Sequence, residues 1–122
     1  MNKTILLMGS DPVVREVIQE ALQDAGYLVV AAGDLGTAVD RIKETKPDLL
    51  MIRSYVEGIP GYDAANFLRT KCPGLPVLMT GGLIDDDRLR YRMAVGGFDV
   101  FPKPYTAAAL LAKVKEVLEK PR

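Results

Sequence analysis

The sequence contains no histidine, which removes the usual general base, proton shuttle and favoured metal ligand together. It has one cysteine, Cys72, so no internal disulfide can form. With Leu68 and Pro73 nearby and no adjoining basic cluster to favour the thiolate, Cys72 reads as a small hydrophobe at a helix end in a reducing compartment. Net charge is also missing: 16 basic and 16 acidic residues cancel, so no global field favours nucleic acid or a membrane surface. No apolar run approaches membrane-spanning length, and the opening run 4–8 is too short for a secretory h-region. Linkers, internal repeats and low-complexity segments are absent. The 122 residues are expected to form one cytoplasmic domain, 1–122, large enough for a core of its own.

Strand-length apolar runs alternate with helical patterns from end to end. The runs are 4–8, 28–32, 48–52, 77–80 and a short one at 100–101. Between them, Asp11 offers an N-cap and Pro12 a first helical position, and Val14, Val17, Ile18, Ala21 and Leu22 form a stripe that stops at Gly26. Asp34 caps a second helix carrying Leu35, Ala38, Val39 and Ile42, which ends before Pro47. A loop over 54–60 leads to a third helix with Ala64, Ala65, Phe67 and Leu68, closed by Cys72-Pro73-Gly74. Asp85-Asp86-Asp87 opens a fourth, stopping at Gly96-Gly97. Those three carboxylates read as helix-start charge favoured by the macrodipole, because consecutive helical positions diverge too far to face one ion. Thr106 caps a last helix with Leu110, Leu111, Val114, Val117 and Leu118 on its apolar side. Five βα units predict a doubly wound, flavodoxin-like α/β fold: five parallel strands and five helices.

In such sheets the working site lies at the carboxyl ends of the strands. Those ends carry Gly9, Ser10 and Asp11, then Arg53, then Gly81 and Gly82, then Lys103.

Three segments resemble the bacterial response-regulator receiver domain. They are Ile5-Leu6-Leu7-Met8-Gly9-Ser10-Asp11-Pro12-Val13-Val14-Arg15, then Pro47-Asp48-Leu49-Leu50-Met51-Ile52-Arg53 with Gly61, and Gly96-Gly97-Phe98-Asp99-Val100-Phe101-Pro102-Lys103-Pro104-Tyr105. Their spacing and βα order extend the resemblance over essentially the whole chain, and it implies the strand order 2-1-3-4-5. It also implies functions for positions that this sequence does not honour. The family's phosphoryl-accepting aspartate falls on Arg53, a guanidinium with no nucleophilic oxygen. The acidic pair that holds magnesium falls on Gly9 and Ser10, with Asp11 one position late. The hydroxyl residue that reads the phosphoryl group falls on Gly81, beside Thr80, which alternation would point to the opposite face unless the strand carries a bulge. The switching aromatic falls on Val100. Only the lysine, Lys103, and Pro104, at the family's cis-peptide position, are retained. The expectation is a pseudo-receiver with no phosphoryl acceptance, no catalytic residues, no metal site and no magnesium requirement.

Two readings of Arg53 stand side by side. In one, it pairs with Asp11 or Glu57 and fastens the pocket shut. In the other, Arg53 and Lys103 converge on a mouth lined by Gly9, Gly81 and Gly82 and hold a small anion or phosphate ligand. The resemblance further implies a docking face formed by the fourth helix, fifth strand and last helix, where Arg88, Tyr91, Arg92, Phe101 and Tyr105 would meet a protein partner or a second copy; the plainer account of the arginines is a solvated helix face. The favoured function is a phosphorylation-independent signalling module that recognises a protein through this surface, with no direct contact to nucleic acid or membrane. The competing class is a small-ligand sensor. An enzyme is disfavoured, since no nucleophile stands beside a base and no carboxylate pair stands at the strand ends.

Overall fold

The computed structural model describes residues 3–9, 12–53, 55–56, 59–80, 99–101 and 107–119. Five strands form one parallel sheet: β1 (Thr4–Met8), β2 (Leu28–Ala32), β3 (Leu49–Arg53), β4 (Val77–Thr80) and β5 (Asp99–Phe101), in the order β2-β1-β3-β4-β5. Four helices are described, α1 (Pro12–Asp24), α2 (Leu35–Thr45), α3 (Gly61–Lys71) and α4 (Ala107–Glu119). The expected helix after Asp85-Asp86-Asp87 lies outside the described residues, as do the caps assigned to Asp11 and Thr106. Among the described residues no helix is long and apolar enough to cross a membrane.

The sheet divides two cores by simple alternation. Leu6, Met8, Leu50, Ile52, Val77 and Met79 face α2 and α3, joining Ala38, Ile42, Ala64, Ala65 and Leu68. Their neighbours Ile5, Leu7, Leu49, Met51 and Leu78 face α1 and α4, joining Ile18, Leu22, Leu110, Val114 and Val117. Strands covered on both faces carry continuous apolar runs for this reason. The register is pinned at its lower edge by Asp48. Its carboxylate accepts from the Thr4 amide at 2.8 Å, and its own amide donates to the Thr4 carbonyl at 2.8 Å.

Helix ends follow local chemistry. Pro12 is the first residue of α1, and Gly26 takes φ +98° two residues past its end, a conformation that favours glycine. Asp34 caps α2, its Oδ1 accepting from the Thr37 amide at 2.7 Å. Cys72 follows α3, donating its amide to the Leu68 carbonyl, and packs half-buried against the first core.

Three details differ from the sequence reading. Val17, assigned to the inward stripe of α1, is 63% exposed together with Val13; they lie one turn apart on the outer side, leaving Ile18 and Leu22 to fill the core, and the side chain of Val14 lies outside the description. Phe67 is partly exposed, with the Lys71 ammonium 5.4 Å from its ring centroid. Strand β3 is shifted one residue along, Leu49–Arg53 rather than 48–52, so Arg53 at the strand end is its last paired residue. The loop beyond it contains a short antiparallel ladder, Tyr55–Val56 with Ile59–Pro60.

Candidate functional site

At the carboxyl edge of the sheet, β1 delivers Gly9, β3 delivers Arg53 and β4 delivers Thr80. Gly9 is held from two sides. Its amide donates to the Ala32 carbonyl at 3.2 Å, continuing the β1–β2 ladder, and its carbonyl accepts from Arg15 Nη1 at 2.6 Å. The short distance is that of a charge-assisted bond. Arg15 lies in the second turn of α1 and reaches back over the end of β1. On the way its guanidinium passes close to Gly33, where a Cβ would stand 3.0 Å from Nη1. The absence of a side chain at Gly33 therefore leaves the path for Arg15.

Arg53 is half-buried. Its methylene stem lies over Gly9: a Cβ placed there would meet Arg53 Cδ at 3.7 Å and Cγ at 3.9 Å. A methyl group would fit in ordinary contact, but a longer side chain would enter space the arginine occupies. Among the described residues the Arg53 guanidinium has no ion-pair partner.

Thr80 is in register with Arg53 and only 3% exposed. Paired residues of parallel strands share a face, and both follow Met51 and Leu78 in alternation, so they belong to the α1 side of the sheet. Position 80 therefore joins Arg53 without any bulge, and it was the comparison with Gly81 that made it look misdirected. Arg15, Arg53, Gly9 and Thr80 line one small recess of about 10 Å³, whose remaining described wall is Leu7, Met8, Ile18, Met51 and Ile52. No carboxylate lines it among the described residues. A second recess, at the opposite edge of the sheet, is bordered by Lys3, Asp48 and Cys72.

Of the sequence-predicted site, the structure brings Gly9 and Arg53 together. Ser10, Asp11, Gly81, Lys103 and Pro104 lie outside the described residues, as do Glu57, Arg88, Tyr91, Arg92 and Tyr105. Val100 and Phe101 are described as backbone of β5 only, paired with Met79 and Thr80. Arg15 was not singled out as a site residue. Its one sequence signal is a position one turn into a helix that starts directly after a strand end. Magnesium wants several oxygen ligands anchored by carboxylates. The described residues do not fit it: glycine stands at 9, an arginine stem covers that glycine, and a second guanidinium holds its carbonyl.

Comparison with known proteins places this geometry. Residues 5–115 match the family described as the response regulator receiver domain. The chain is 30% identical over 122 residues to the phosphate regulon transcriptional regulatory protein PhoB of Pseudomonas aeruginosa, covering 98% of this chain and 53% of that protein. It is 28% identical over 120 residues to the probable transcriptional regulatory protein TcrX of Mycobacterium tuberculosis, covering 96% of this chain and 50% of that one. The chain thus spans about half the length of these relatives. Among solved structures, a putative response regulator from Chloroflexus aurantiacus superposes with a TM-score of 0.85 at 28% identity, covering 98% of this chain and 100% of that one. The chemotaxis protein CheY4 of Vibrio cholerae shares the fold, with a TM-score of 0.85 at 22% identity over 96% of this chain and 99% of that one.

Proposed function

The chain belongs to the response regulator receiver domain family, and from that premise we propose that it is a receiver that works without phosphorylation. The observation that carries this is Arg53 at the end of β3 with its stem packed over Gly9. The position from which an aspartate would attack a phosphodonor holds a guanidinium, and the neighbouring position that would anchor a metal has no side chain. Phosphoryl transfer relies on positioning and on charge stabilisation by a metal, and both supports are missing from the described residues. The domain is accordingly no enzyme, and it requires no magnesium.

Its output on this reading is recognition of a protein partner by a fixed surface, formed by the segment around Arg88, Tyr91 and Arg92 together with β5 and α4. Arginine and tyrosine are the residue types that anchor such surfaces. A signalling protein or an effector domain is the expected partner, with a second copy of the chain as the other arrangement. Charge reversal at Arg88 or Arg92 weakens that docking, while Arg53→Ala leaves it nearly intact.

The experiment that tests the reading is a magnesium titration followed by the amide resonances of Gly9, Arg53 and Thr80. The expected result is no saturable shift in the low-millimolar range. Saturable shifts confined to those residues would contradict it.

A further inference from the structure

We infer that the outer edge of β2 pairs antiparallel with the same strand of a second copy of this chain, joining two sheets across a twofold axis at Val30. The inference goes beyond the preceding reading. Strands β2 and β5 are opposite edges of the sheet, so the surface assigned to protein recognition stays free.

The ladder with β1 decides which backbone groups of β2 are available. The Leu28 amide donates to the Lys3 carbonyl at 3.0 Å, and the Ala32 carbonyl accepts from the Gly9 amide at 3.2 Å. Both residues therefore direct their backbone groups inward, to β1. Along a strand, successive residues turn their N–H and C=O to opposite sides. Val30 thus shares the inward direction, and Val29 and Ala31 point outward, where no other strand of the described residues lies.

Those outward groups are symmetric about Val30. An antiparallel copy sets its Ala31 opposite Val29 and its Val29 opposite Ala31. Each such pair exchanges both N–H···O bonds, so the two pairs satisfy every outward group of Val29 and Ala31 on both copies. The Val30 side chains meet at the axis as a non-hydrogen-bonded pair, the arrangement in which side chains approach most closely.

Natural sheet edges are guarded by lysine, proline or a bulge. Leu28-Val29-Val30-Ala31-Ala32 carries neither residue, and it pairs with β1 one for one from Thr4 to Met8, without a bulge. Leu28 is 54% exposed, and Val29, Val30 and Ala31 are only half-buried. Val30 sits at the margin of the core beneath α2, and Val29 with Tyr27 at the margin of the core beneath α1. An added strand covers both margins.

Charge identifies the occupant. The run from Gly26 to Gly33 contains no charged residue, so no like charges face each other across the axis. The same absence leaves nothing to select a charged foreign segment, whereas a second copy fits by symmetry. Each copy has one outer β2 edge, so the contact closes on itself as a dimer.

The test combines sedimentation velocity with amide hydrogen exchange between about 10 μM and about 1 mM chain, a range that captures weak association. It compares the parent with Val29→Pro, Leu28→Lys and Val17→Lys, each first shown to be folded by circular dichroism. The parent should dimerise as concentration rises, and exchange at Val29 and Ala31 should slow by about tenfold or more. The Leu28 amide, already bonded to Lys3, should change far less. Proline at 29 removes a donor that a single copy does not use, so Val29→Pro should remain monomeric throughout. Leu28→Lys, at an exposed position, should weaken association about tenfold or more by placing a guard charge on the edge, and it decides the matter if proline disturbs the fold. Val17→Lys, on the exposed side of α1, should dimerise like the parent. A parent that stays monomeric at about 1 mM, or a dimer that survives Leu28→Lys but is lost in Val17→Lys, would overturn the inference.

Discussion

The Cδ of Arg53 sits 3.7 Å from where a Cβ on Gly9 would be, so the two residues complement each other across neighbouring strands. The long side chain on β3 lies where the residue ending β1 has none. Restoring an acidic residue at 9 alone would place it against the arginine stem, where it would pair with the guanidinium rather than wait for a metal. Restoring aspartate at 53 alone would leave a carboxylate facing a bare backbone. The pair has to change together before family-like chemistry can return.

Gly33→Ala is expected to destabilise the fold by about 1 kcal/mol, because the added methyl would stand 3.0 Å from Arg15 Nη1 and push the guanidinium off the Gly9 carbonyl. Urea unfolding measures this, and in an Arg15→Ala background the same substitution should cost almost nothing. A cost that persists without Arg15 would show that Gly33 matters for another reason.

The fold itself was largely legible. Runs at 4–8 and 77–80 became β1 and β4 as read, because strands buried on both faces show unbroken apolar character. What local pattern could not supply was pairing between strands. Arg53 was placed just past the strand because a charged side chain ended the apolar run, yet its backbone pairs with Thr80. The tie from Arg15 to Gly9 past Gly33 joins a helix to two strand ends and leaves no periodic trace. Val17 fitted a helical stripe by spacing, but only the packing of α1 on the sheet decides which edge of that stripe turns outward. The family was legible because its motifs sit at strand ends in a fixed order, even where the residues that give them chemistry have changed.

That division of α1 and the core predicts contrasting substitutions. Leu50→Ala, at a site with no solvent exposure, should cost about 2–5 kcal/mol through lost burial and the cavity left behind. Val17→Ala, 63% exposed, should change stability by no more than about 0.5 kcal/mol, toward a gain because alanine is the better helix former. Chemical denaturation of both variants checks the assignment.

Acid should loosen α2. The Thr37 backbone amide, hydrogen-bonded to the Asp34 carboxylate, lowers its pKa below the ordinary 3.8, with the side-chain interaction with Thr37 adding to it. A carboxyl group whose pKa is depressed by folding stabilises the folded state fully above its unfolded value, and that contribution is lost as pH falls through the lower, folded value. The helix start should therefore hold at neutral pH and weaken in the acid range below about 3.8. Asp34→Asn, which keeps a capping oxygen but does not titrate, should remove that part of the pH dependence when unfolding is followed across the acid range.

The most direct measurement is the intact mass of the protein after incubation with acetyl phosphate and magnesium, run on the natural chain and on Arg53→Asp. The account predicts no added phosphoryl group on either: the first lacks the nucleophile, and the second lacks the acidic residues that would hold the metal beside it. A stoichiometric, hydroxylamine-labile phosphoryl adduct on the natural chain would contradict the central claim.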